Sequence, residues 1–367
     1  MSTRIRELRE RSNLNQDALG ERLGVTRQTI AAWEKGQRDP TMTQLTALAA
    51  ALGVPLDLLL RQPETSPGAE RPTLLYRADK RSALSDLDEA LMIRKAQDYA
   101  LVERVTGTLP LLPESRPMTG FDPEQVERVA EETRDWLGVE HAPLGDAIAL
   151  VERRGLKVIR GRWPASVFGF SAYTEDWGGL IFVNTHQEEH QLPYERQAFT
   201  VMHELAHLIF HRREYREPTT PEGKKDPRED VANHFARAVL LPATALRADL
   251  RGYRGRWLPE PLLIDLKLRY GASVQTILYR ARDLGMITDR QFGMQLGQLR
   301  KRYPDNFAEP PEPKCPASQA RPRLELLVFT ALVNEQLGES RAAEILGWPL
   351  QAVRKELELW LPEDDAA

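Results

Sequence analysis

The sequence predicts a mainly α protein with a small β-sheet, an α+β architecture. Three observations predict it. Apolar residues recur at helical spacing through residues 1–61 and again over about 194–299. Only three short runs, 156–159, 168–172 and 180–183, have the apolar and β-branched character of strands. Two segments rich in proline and small residues, 62–72 and 304–322, divide the chain.

Taken in order, the first helices are marked by Ile5 and Leu8, Leu19 and Leu23, Ile30 and Trp33, and Leu45, Leu48 and Leu52. Gly24, Gly36, Pro40 and the 53–55 turn punctuate them. A helical pattern at 82–105 carries Leu84, Leu87, Leu91, Tyr99 and Leu101, suited to bridging domains or to a homodimer contact. Asp122 caps a helix that Pro123 opens and that runs to Leu137. Another helix ends at Gly155. The three strand runs follow, then several helices, then a linker holding six prolines over 304–322 and a helical tail over 324–360. The expected boundaries are a helical domain at 1–61, a linker at 62–81, a helical connector at 82–120, a mixed domain at 121–303, a second linker at 304–322 and a helical region at 323–367.

The formal net charge of -4 excludes a uniformly basic nucleic-acid coat. The single cysteine, Cys315, forms no intrachain disulfide and suits a reducing cytoplasm. No apolar run reaches membrane-spanning length and the first residues show no signal-peptide core. The expected location is the cytoplasm, with no membrane partner.

Residues 16–36 follow helix-turn-helix logic. Ala18 and Leu19 pack inward, Gly24 permits the turn, Val25 fills the corner and Thr26 caps a second helix whose Ile30 and Trp33 face the core. Arg27, Gln28 and Thr29 are then presented at the second helix's start. Arginine and glutamine make bidentate contacts with base edges in the major groove. Gln16 is placed to meet phosphate. With nine basic and seven acidic residues over 1–61, the domain is only mildly cationic. The segment resembles the XRE, or Cro/repressor-like, family over nearly all of 3–60, which implies binding to an operator-type DNA duplex.

The strongest chemical signal is His203-Glu204-Leu205-Ala206-His207. Residues four apart share a helix face, so both imidazoles can meet one Zn²⁺ at about 2.0–2.1 Å. Glu204 can reach a metal-bound water as general base. Val201, Met202, Leu205, Leu208 and Ile209 make the helix a buried one, and a buried carboxylate without a partner is costly. Downstream, Glu229 and Asn233 are four apart on a second helix. Glu229 suits the third ligand and Asn233 suits orienting a ligating histidine. Asp230 is the rival carboxylate, pointing roughly 100° away around the helix. Phe210 and Arg213 stand where the long metzincin motif needs glycine and histidine, so that form is excluded.

These segments, with Gly169-Phe170-Ser171, the 181–184 strand and the 270–281 helix pattern, resemble the ImmA/IrrE family of bacterial regulatory metallopeptidases over about 122–290. The resemblance implies a zincin-like domain with His203, His207 and Glu229 as zinc ligands and Glu204 catalytic. It also implies a protein substrate, an XRE-type repressor. Ala206 stands where many relatives have glycine and fits a helix equally well.

His211 is expected at the surface more often than on the metal. His234 is a candidate for stabilising the oxyanion, with a packed histidine as the alternative. The charged stretch 212–228 suits a solvated connection or a lid. The 180–183 strand is expected to offer an edge to an extended substrate. Residues 339–354 resemble a second helix-turn-helix, although mixed surface charge and Trp348-Pro349 favour a packed hairpin. The function expected is that of a DNA-binding regulatory zinc metalloprotease in a stress or mobile-element response. The alternative is a non-catalytic XRE regulator or antitoxin that uses the peptidase fold as a sensor.

Overall fold

The computed structural model describes residues 2–12, 14–52, 56, 59, 73–75, 86–108, 111–118, 120–164, 166–174, 177–187, 189–212, 226–302 and 320–361. The linker at 62–72, Cys315 and most of the 212–228 and 304–322 stretches lie outside them. The chain forms two compact units, one of residues 1–71, 84–108 and 324–367, the other of 72–83 and 109–323.

The chain opens with α1 (Ser2–Arg11), α2 (Gln16–Leu23), α3 (Arg27–Glu34) and α4 (Met42–Leu52). Ile5, Leu8, Leu19, Ile30, Trp33, Leu45, Leu48 and Leu52 form their common core. Each such side chain contributes about 1.5–3 kcal/mol when buried. Asn15 caps α2 and Thr26 caps α3 through their side-chain oxygens. Gly24 ends α2 at φ 65°, a left-handed conformation. Gly20 is equally necessary: a Cβ there would lie 2.7 Å from the Val25 carbonyl oxygen. Arg9 is ion-paired with Glu34 at 2.6 Å, which joins α1 to α3.

A short strand, β1 (Thr73–Leu75), precedes α5 (Asp86–Val105). The second unit continues with α6 (Pro123–Leu137), α7 (Ala147–Arg153), β2 (Lys157–Gly161), β3 (Gly169–Thr174) and β4 (Gly178–Asn184). The sheet order is β1-β3-β4-β2, with β2 parallel to β4 and the other pairs antiparallel. The 180–183 strand is therefore flanked on both sides and offers no free edge, contrary to the sequence expectation. Its continuous apolar run is the reason: a strand buried on both faces belongs in the middle of a sheet. Asn184 closes the preceding loop by donating to the Trp163 and Val167 carbonyls and accepting from the Trp163 amide.

A two-residue hairpin, β5 (His186–Gln187) and β6 (His190–Gln191), leads to α8 (Tyr194–Ala206), which runs on into a π-helical turn over His207–His211. Then come α9 (Pro227–Leu240), α10 (Ala243–Asp249), α11 (Glu260–Tyr270), α12 (Val274–Asp283) and α13 (Asp289–Arg302). The core gathers Val201, Leu205 and Ile209 of the metal-motif stretch with Val231, Phe235 and Val239 of α9. Three buried cations pin these helices. Arg134 of α6 donates to the carbonyls of Val239, Glu140 and Ala142. Arg280 of α12 donates to the Leu241 carbonyl and pairs with Glu127 of α6. Lys267 of α11 meets Glu195 of α8 at 2.8 Å. Breaking one partner of such a pair typically costs about 3–5 kcal/mol.

The tail forms α14 (Arg323–Val333), α15 (Glu339–Leu346) and α16 (Leu350–Glu358), with Gly347 at φ 68° between the last two. Val328, Phe329, Leu332, Ala342, Ile345 and Val353 pack with Val102 of α5, so the tail belongs to the unit of the N-terminal helices.

Candidate functional site

α8, the π-helical turn that continues it and α9 bring three donors together. His203 and His207 present Nε2 atoms 3.3 Å apart. The Glu229 carboxylate lies 3.3 Å from the first and 3.5 Å from the second. All three donor atoms fall within 4.8 Å of one another, and all three residues are buried. Two imidazole nitrogens and one carboxylate are a donor set that suits a divalent metal such as zinc and leaves a coordination position open. Burial holds His203 below the usual imidazole range, so it is neutral and able to ligate. Burial alone would raise Glu229. The neighbouring imidazoles of His203 and His207 outweigh it and keep this carboxyl below the usual range.

Support groups surround the three. Asn233 Oδ1 lies 3.1 Å from His203 Nδ1 and directs the opposite ring nitrogen to the cluster. Asp230, the rival carboxylate, is half-buried and faces a neighbouring cavity. Glu204 is buried, and its Oε2 accepts a 3.0 Å hydrogen bond from Ser171 Oγ of β3. Gly169 permits that approach of strand to helix, since a Cβ would stand 2.4 Å from Thr200 Cγ2 and 2.7 Å from the Phe182 carbonyl. Ser171 was not singled out for a role by sequence reasoning. The signal was there, since Gly169 and Ser171 alternate onto one face of a strand.

Two histidines differ from expectation. His211 is buried, with Nδ1 3.1 Å from His207 Nδ1. Four residues past His207, His211 stays on the same side of the π-helical turn and is covered by packing. Burial pushes His211 down to about 3. His234 directs Nε2 to Glu127 at 2.7 Å and Nδ1 toward Asp283 at 3.8 Å. Both ring nitrogens thus face carboxylates, while the residue also lines the cavity beside the metal cluster.

In the N-terminal helices, Arg27 and Gln28 are exposed at the start of α3, and Thr29 is half-buried. Thr26 Oγ1 lies 3.0 Å from Thr29 Oγ1, and Arg27 stands 3.9 Å from Asp17. Gln16, half-exposed at the start of α2, donates from its amide to Glu34 Oε2 at 2.8 Å. Glu34 is itself the partner of Arg9, so Gln16 belongs to a polar network inside the domain.

Residues 5–59 match the helix-turn-helix family, and residues 151–282 match the IrrE N-terminal-like domain. A helix-turn-helix transcriptional regulator of Methanothermobacter thermautotrophicus is 51% identical over 53 residues, which span 77% of that protein and 14% of this chain. This chain belongs to the helix-turn-helix regulator family. The helix-turn-helix regulator carries, in addition, an IrrE N-terminal-like, metallopeptidase-like domain. The cryptic phage CTXphi transcriptional repressor RstR of Vibrio cholerae is 37% identical over 65 residues, 59% of its length and 18% of this chain. YgzD of Bacillus subtilis, an HTH-type transcriptional regulator, is 39% identical over 57 residues, 86% of its length and 16% of this chain. The structure of Bacillus thuringiensis PlcR with the peptide PapR7 and DNA aligns over 99% of both chains at 11% identity, with a TM-score of 0.17, too low to establish a shared fold. Among the described residues, no helix is long and apolar enough to cross a membrane.

Proposed function

We propose that this helix-turn-helix regulator is a zinc metalloprotease that hydrolyses a peptide bond in a protein substrate, an XRE-type repressor, in a stress or mobile-element response. The observation that carries the reading is the convergence of His203, His207 and Glu229 beside the buried carboxylate of Glu204. A scaffold without chemistry has no use for a buried carboxylate at that position.

When bound, zinc acidifies a water and stabilises negative charge on the substrate carbonyl. His203, His207 and Glu229 would hold the metal. Asn233 fixes the His203 ring and His211 fixes the His207 ring. Glu204 takes the water proton and returns it to the departing amine. Ser171 holds Oε2 and so sets the orientation of that carboxylate. Arg27 and Gln28 read an operator, which places the protease at the promoter it controls. The setting is the cytoplasm.

The experiment is Glu204→Gln in the full chain. Zinc content and specific duplex binding should be retained, while cleavage of the repressor encoded beside this gene falls by about 10²–10⁴-fold. Retained cleavage would exclude Glu204 as the base. The second reading, a regulator that senses through a silent peptidase fold, draws on relatives named as transcriptional regulators and repressors. It gains if Glu204→Gln keeps the parent's full effect on transcription.

A further inference from the structure

The tail repeats the backbone of the first helix-turn-helix residue for residue. With Gly347 set on Gly24, α15 falls on α2, and α16 begins three residues after its glycine, as α3 does. The two glycines share one left-handed conformation, φ 65° and ψ 29° against φ 68° and ψ 28°. The turn bonds agree as well. Gly24 and Gly347 each donate to the carbonyl three residues back, at 3.3 Å. Val25 donates to Gly20 at 2.9 Å and Trp348 to Ala343 at 3.0 Å. Ile30 donates to Thr26 and Val353 to Pro349, both at 3.2 Å.

The side chains follow the backbone. Leu19 and Ile30 are fully buried in one core, and Ala342 and Val353 hold the same positions in the other. Val25 and Trp348, both half-buried, fill corresponding corners, the indole 5.9 Å from the Phe329 ring. Pro349 supplies the extended conformation that Thr26 adopts before α3, φ -59° and ψ 140° against φ -75° and ψ 154°. The Trp348-Pro349 turn thus builds the same geometry by other means. Charge does not separate the motifs either. Residues 16–34 hold two basic and three acidic side chains, and residues 339–357 hold three of each.

Gln28 and Gln351 occupy the same place at the start of the second helix, and both are exposed. Lys355, one turn further along α16, is exposed too. Glutamine reads an adenine edge by two hydrogen bonds, and lysine meets phosphate. Both motifs belong to one compact unit and rest on one helix. Leu91 of α5 packs on the N-terminal core and Val102 in the tail core, about 16 Å apart along the helix at its 1.5 Å rise.

We propose that α15 and α16 form a second helix-turn-helix that contacts double-stranded DNA, with Gln351 at a base edge and Lys355 at phosphate, so that one chain engages a site in two parts. The assignment goes beyond the function proposed above and is independent of the peptidase chemistry.

The test selects duplexes from a random library with the full chain and maps them by hydroxyl-radical footprinting. Two protected patches are expected. Gln351→Ala combined with Lys355→Ala should erase one patch and weaken binding about tenfold. Arg27→Ala combined with Gln28→Ala should erase the other. Lys355→Ala alone should lower the slope of log Kd against log salt by about one. All four side chains are exposed, and thermal melting of each variant checks that the fold is kept. An unchanged footprint and affinity in the Gln351/Lys355 variant would overturn the proposal. So would loss of both patches in the Arg27/Gln28 variant alone, the mark of two copies reading through their first motifs. An unchanged footprint with a lower oligomeric mass in the Gln351/Lys355 variant would make the tail a protein interface instead. A patch that persists without Arg27 and Gln28, and vanishes without Gln351 and Lys355, would keep the second motif and remove the first. If the full chain selects no duplex, both motifs lose their DNA role.

Discussion

His211 Nδ1 lies 3.1 Å from His207 Nδ1, inside the π-helical turn that carries both rings. With Nε2 of His207 turned to the metal cluster, one of these two Nδ1 atoms must donate to the other. His211 is neutral, since burial pushes it down to about 3, and it accepts the His207 Nδ1–H. It thereby fixes the tautomer in which His207 Nε2 is a lone-pair donor.

His211→Leu should therefore weaken zinc binding by roughly 10–100-fold, the usual loss when a group that orients a ligand is removed. His211→Asn, whose amide oxygen can accept near the same position, should lose less. Competition against a chromogenic chelator reads both, and thermal melting of the metal-free proteins checks the fold. Equal zinc affinity in parent and His211→Leu would reduce the contact to packing.

Glu229→Gln should lower zinc occupancy, because a neutral amide replaces an anionic ligand. Asp230→Asn should leave occupancy near the parent level, since Asp230 faces the cavity. Metal analysis after gel filtration distinguishes them. A loss confined to Asp230→Asn would exchange the two carboxylates.

On DNA, affinity should fall as salt rises. Arg27→Ala and Gln28→Ala should relax sequence preference more than they weaken non-specific binding. Gln16→Ala should act differently. Its amide donates to Glu34, so the expected effect is a small loss of stability, about 0.5–1.5 kcal/mol, with operator preference kept. Competition binding with scrambled duplexes reads all three. An operator preference lost with Gln16→Ala would return that side chain to the interface.

Glu152 of α7 is buried and pushed up to about 7 by that burial, with the charges of Arg160 and Arg323 opposing. Its folded value lies above the ordinary value of 4.5, so the unfolded chain releases its proton first as pH rises. The favourable contribution is complete below about pH 4.5 and is lost as pH climbs through about 7. Glu152→Gln should match the parent near pH 4 and exceed it above pH 7, by something on the order of 1–3 kcal/mol. Urea unfolding across pH 4–9 measures it. A parent curve parallel to that of Glu152→Gln would mean that the ionised carboxylate is compensated in place.

Much of the site is legible in the chain because the chemistry is carried by local periodicity. The four-residue spacing of His203 and His207, and of Glu229 and Asn233, puts each pair on one helix face whatever the surrounding fold. The helix-turn-helix is legible for the same reason: Gly24, Thr26, Ile30 and Trp33 act within ten residues of chain. What only the tertiary structure decided involves partners far apart in sequence. Ser171 meets Glu204 from a strand more than thirty residues earlier, through a gap that Gly169 keeps open. His211 is buried because β3 and α9 pack against the π-helical turn that carries it. His234 is taken by Glu127 and Asp283, and Gln16 by Glu34. The 180–183 strand became central because β2 and β3 both pair with it. Sequence spacing fixes direction around a single helix. Which charge or strand a side chain meets there is set by the packing of other elements, and the pairing that removes the most unsatisfied buried polar groups prevails.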